Sequence, residues 1–216
     1  MRHANLIAGA GVIAVGGLAA LVTADIVGTA HDFSTLAWGG GEICKPCHTP
    51  HFAQANVEFL WAHALSTVSY TLYDGAVTGP GGMDSLDQRS RMCLSCHDGS
   101  VALNDYYDSG GPPVFLDEAF QIGAGGNLTD DHPIGVAAPY PIAGTIELNA
   151  PTLTSSGLYG FGGDGTNPEV PLYPFLEAEA VVSCSSCHDV HGRNGVEKLL
   201  RINNNSSALC ITCHIK

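Results

Sequence analysis

Four short clusters hold every cysteine of the chain, and each ends in a histidine. They read Cys44-Lys45-Pro46-Cys47-His48, Cys93-Leu94-Ser95-Cys96-His97, Cys184-Ser185-Ser186-Cys187-His188 and Cys210-Ile211-Thr212-Cys213-His214. Three chemistries use such residues. Eight cysteines could close four disulfides in an exported chain, but that leaves the histidine after every second cysteine unexplained. Zinc takes Cys and His ligands, but it wants a second ligand pair at a defined distance. The third chemistry accounts for the whole pattern. Two thiols two residues apart add across the vinyl groups on one edge of a porphyrin, and the adjacent histidine supplies the proximal nitrogen to the iron. The spacing therefore predicts four covalent haem c groups, anchored by Cys44, Cys47, Cys93, Cys96, Cys184, Cys187, Cys210 and Cys213, with His48, His97, His188 and His214 as proximal iron ligands.

The other six histidines decide what kind of iron this is. His3 belongs to an apolar N-terminal segment considered below. That leaves His31, His51, His63, His132 and His191 for four distal positions, one more than needed. Methionine offers no competitor: Met1 is the initiator, Met83 lies in a Gly-rich loop and Met92 adjoins Cys93. All four irons are expected to be bis-histidine, which leaves no open position for a reductase. His51 and His191 each follow a proximal histidine by three residues. On one helical turn such a pair points the same way, so each is expected to reach a neighbouring haem. His63 lies in an expected helix over 57–66, whereas Pro133 keeps His132 out of a helix. His31 sits on an N-terminal arm that could reach the next subunit; alternatively, one of the five only makes hydrogen bonds.

These residues must be positioned by a chain of unusual make-up. It has 216 residues, 27 Gly, 12 Pro and a formal net charge of −13, with only eight Lys or Arg. So few cations exclude nucleic acid as a first expectation. Residues 6–22 are apolar and uncharged, and small residues follow. They predict an export signal over 1–30, cleaved after Ala30 or, as the second choice, Ala24. A single domain over 31–216 would follow, soluble and outside the cytoplasm, because no second apolar run of that length occurs.

The box spacings are irregular and exclude a fixed repeat. A looser doubling is present: a CxxCHxxH box followed by a plain CxxCH box occurs twice. Residues 99–182 are rich in Gly, Pro, Asn and Thr and are expected to form loops with one or two short strands. Helices are expected over 57–66, over 86–96 and as a short turn at each box. Asn127 and Asn205 begin glycosylation-type triplets, a pattern common by chance, and Gly163-Asp164-Gly165 is too short for a calcium loop. Four haems among about 186 residues must touch, so porphyrin would be the core and the apo chain would not fold. Their propionates would make the loaded protein more acidic than the bare chain.

The segments Ala30-His31-Asp32-Phe33, Ile43 to His51, Leu60-Trp61-Ala62-His63-Ala64, Cys93 to Ser100, Asp131-His132-Pro133-Ile134 and Cys184 to His191 resemble the doubled-CxxCH multihaem cytochromes. Four haems in this order are similar to the extracellular tetrahaem cytochrome nanowires. The resemblance implies a mostly coil and turn fold with a few short helices and minimal strand around a chain of stacked haems. It implies bis-histidine ligation, polymerisation into a secreted conductive filament, and one axial histidine given by the adjacent subunit. Partners would be further copies, other cytochromes or external electron acceptors. Ala62 stands where an Asn is common before His63. A monomeric periplasmic shuttle is the alternative, a multihaem reductase a third, and a colourless disulfide-stapled binding module a fourth.

Overall fold

The computed structural model describes residues 26–162 and 169–215. The apolar segment 6–22 and Gly163-Asp164-Gly165 lie outside these residues. Most of the chain is turn and coil. Three helices stand out: α1 (Gln88–His97), α2 (Cys184–Cys187) and α3 (Ala208–Cys213). Each carries one CxxCH box, and the first box forms a single turn in which His48 N–H donates to the Cys44 carbonyl at 2.8 Å.

The helix expected over 86–96 is α1, and its start is set locally. Asp87 has an extended backbone, and its carboxylate accepts from the Arg89 and Ser90 amides. These are two of the donors that a helix start leaves unpaired. Ser183 caps α2 in the same manner, with Ser186 returning a bond to the Ser183 amide as a capping box does.

The helix expected over 57–66 does not form. Trp61 bridges His48, and His63 bridges Tyr106, both antiparallel. Phe59 and Leu60 take the left-handed conformation at φ 62° and 54°, which ends any helical run. Residues 48–51 and 188–191 are not helical either; His188 has extended angles, φ −108° and ψ 143°. The shared helical turn expected for the two CxxCHxxH boxes is thus absent.

Among its described residues the segment read as loops holds five short strands. β1 (Thr152–Leu153), β2 (Tyr159–Phe161) and β3 (Val170–Pro171) form one antiparallel sheet, and β4 (Tyr173–Phe175) pairs with β5 (Ala178–Val181) in another. Two small apolar clusters accompany them. Tyr70, Leu72, Leu86, Leu94 and Leu128 pack under α1. Tyr140, Leu172 and Ala180 pack between the sheets. Many large apolar side chains remain outside, among them Phe52, Phe120 and Ile146. Among the described residues no helix is long and apolar enough to cross a membrane.

A buried polar knot ties the halves together. Asp87 accepts from the Ser90 hydroxyl at 2.6 Å and the Ser183 hydroxyl at 2.9 Å. Ser90 Oγ in turn accepts from the Cys184 amide at 3.2 Å. The starts of α1 and α2, and hence the second and third boxes, are fixed against each other.

Candidate functional site

One backbone bracket holds three of the four box histidines. The residue after the histidine donates its N–H to a passing strand, and that strand returns an N–H to the carbonyl of the second cysteine. At the first box, Thr49 donates to Leu60 O and Ala62 donates to Cys47 O. At the third, Asp189 donates to Leu199 O and Arg201 to Cys187 O. At the fourth, Ile215 donates to Glu147 O and Asn149 to Cys213 O. The bridge pairs are His48 with Trp61, His188 with Leu200, and His214 with Leu148. At the first and third boxes the passing strand is preceded by two left-handed residues, Phe59-Leu60 and Lys198-Leu199. The doubling seen in the motifs therefore extends to the backbone.

The brackets also aim the rings. His48 Nδ1 meets Phe59 O at 2.7 Å, and His188 Nδ1 meets Lys198 O at 3.0 Å. His97 Nδ1 meets Phe120 O at 3.3 Å. An Nδ1–H donated to a carbonyl fixes the tautomer with the lone pair on Nε2, the state that ligates metal.

Three non-box histidines face three box histidines, each a different one. The ring centres of His31 and His97 are 6.0 Å apart, those of His48 and His191 6.2 Å, and those of His132 and His214 6.3 Å. Two imidazoles ligating one metal from opposite sides have centres about 6 Å apart, since each metal–nitrogen bond is about 2 Å and each nitrogen about 1 Å from its ring centre. The His31 ring is held in the interior, where its Nδ1 has no hydrogen-bond partner. Burial, then the neighbouring His97 and His188, push its pKa down to about 4, so it is a neutral imidazole, the form that ligates. The His31 ring thus stands against a box histidine of its own chain. His191 is steadied by Asp189, whose carboxylate lies 3.8 Å from its Nδ1 and takes Arg193 Nε at 2.8 Å.

The other two candidates are placed differently. His51 is exposed. His63 is buried, and its ring nitrogens lie 2.7 Å and 2.9 Å from the carbonyls of Ala64 and Ala102. Neither stands against the remaining box histidine, His188 of the third box, which is exposed.

The cysteines are free thiols. Cys96 feels Cys47, Cys93 hydrogen-bonds Cys184, and Cys187 feels Cys213. Box one is thus beside box two, two beside three and three beside four. Burial pushes Cys47 and Cys187 up to about 11 and Cys96 up to about 12. The hydrogen bond to Cys184 pushes Cys93 upward and Cys184 downward. Mostly protonated thiols are the reverse of a nucleophilic cysteine. Among the described residues no three His, Cys, Asp or Glu side chains converge as a metal cluster. Separated thiol pairs and opposed imidazoles fit haem.

Residues 177–216 match the model of the doubled CXXCH motif family. The match spans the third and fourth boxes. It supports a multihaem c-type cytochrome, a haem-based electron-transfer protein, and its motifs imply covalently bound haem c. No curated protein matches the chain.

The doubled CXXCH motif names the cysteines and box histidines, but several supporting residues have weaker sequence signals. The carbonyls of Phe59, Phe120 and Lys198 have none, because backbone atoms carry no residue identity. Asp87 and Ser183 are readable only as helix caps; that they meet in one buried knot depends on tertiary contact.

Proposed function

We propose that the chain is a tetrahaem electron conduit that polymerises, as a secreted protein, into an extracellular filament passing electrons to outside acceptors. The observation that carries the count of four is the bracket common to boxes one, three and four, together with the three opposed histidine pairs. When bound, each haem supplies an iron that exchanges one electron. The chain's residues do the rest. The eight cysteines anchor, the box histidines ligate from one side, and His191, His31 and His132 ligate from the other at boxes one, two and four. Bis-histidine ligation lacks the methionine that raises potential, so low potentials are expected. The chain order of the thiols suits sequential hopping, and coil suits a wrapping whose interior is porphyrin.

The third box supports polymerisation. Among the described residues no imidazole ring is paired with that of His188, while His51 is exposed. His51 of a neighbouring copy completes the set of eight ligands. The copies would then be joined by iron coordination, head to tail, an arrangement that grows open filaments. Negative-stain microscopy of the secreted red fraction is expected to show filaments, and His51→Ala to abolish them. Monodisperse particles from the unaltered protein would instead favour a periplasmic shuttle.

His191→Ala is expected to open one iron in four. Carbon monoxide should then shift about a quarter of the reduced Soret band, while the unaltered protein shifts almost none. An unchanged spectrum would show that His191 does not ligate.

A further inference from the structure

Trp61 has an indole donor that the polypeptide leaves unused. The residue is 9% exposed, and its Nε1 has no hydrogen-bond partner. Buried donors are satisfied in the great majority of native proteins, and leaving one orphaned is costly. Rotation toward solvent is hindered by the bracket. Trp61 bridges His48, its carbonyl accepts Gln54 N–H at 2.7 Å, and the flanking Ala62 amide is bound to Cys47 O. The indole stands edge-on to the His48 ring, with centres 6.3 Å apart and planes at 83°. The donor is therefore held beside the first box, where the motif implies a haem whose only anionic acceptors are its two propionates.

We infer that the Trp61 Nε1–H donates a hydrogen bond to a haem propionate at the first box. This rests on the assignment of a haem to that box. A charge-assisted bond of this kind is stronger than a neutral one, and it removes the one buried orphan on an indole. Trp61 is then a positioning residue: it fixes a propionate, screens part of its charge, and favours the reduced, less positive iron. His63, whose ring centre is 6.4 Å from the indole, has a carbonyl oxygen against each ring nitrogen and makes no hydrogen bond with the indole N–H.

The holoprotein tests this directly, because it has only two tryptophans. Ultraviolet resonance Raman on Trp38→Phe isolates Trp61. The indole band is expected at its hydrogen-bonded position, and a free N–H position would overturn the inference. With visible excitation, Trp61→Phe is expected to move the propionate band of one haem in four and lower the potential of one haem alone. A bonded indole with unmoved propionate bands would also overturn it, since the acceptor would then be something other than propionate. Intact mass keeps the two levels apart. Four haems with a free indole defeats only the inference, whereas a chain lacking the first haem defeats the assignment beneath it.

Discussion

Produced without the apparatus that attaches haem, the chain is expected to show no cooperative unfolding transition. Its two apolar clusters hold five and three buried side chains, too few for a chain of 216 residues to offset an ordering cost of about 1–2 kcal/mol per residue. Large apolar side chains face outward where porphyrin would cover them. Phe120, whose carbonyl takes His97 Nδ1, is 67% exposed. The brackets hold histidines that the haems would ligate, so cofactor binding and folding are expected to be one event, as in small metal domains. Far-UV circular dichroism against urea measures this. A sigmoidal transition in the haem-free chain would mean that the polypeptide supplies its own core.

The second large effect is expected at Asp87. In Asp87→Ala the α1 cap disappears, and the Ser90 and Ser183 hydroxyls lose a carboxylate acceptor inside the protein. A lost cap costs about 1 kcal/mol and each buried donor deprived of a charged acceptor about 1–3 kcal/mol, so a total of about 3–7 kcal/mol is expected for the holoprotein. Asp87→Asn keeps an acceptor for the amides and should cost clearly less. Urea denaturation followed at the Soret band gives both values. Equal losses in the two variants, or a loss below about 1 kcal/mol in the alanine variant, would show that the knot does not hold the second and third boxes together.

Legibility in the sequence followed the range of the interactions. The eight cysteines and four box histidines form local patterns, and α1 was readable because Asp87 caps it locally. The segment 57–66 was not, since its composition suits a helix while its partners, His48 and Tyr106, are remote. The five short strands were hidden for the same reason: β2 and β3 pair across a Gly-rich stretch that reads as loop. The histidine pairs show the limit most clearly. His191 is expected to reach a neighbouring haem; its ring stands against that of His48, and nothing local joins residue 191 to residue 48. His63 and His132 read alike in the sequence, and their different surroundings, two carbonyls for the one and the His214 ring for the other, come from remote contacts.

The central claim is that the boxes are thioether anchors for four haems. Intact mass of the secreted protein after denaturation tests it most directly. The account predicts the mature chain plus four haems that survive unfolding. A colourless chain lighter by eight hydrogens, the mark of four disulfides, would contradict it.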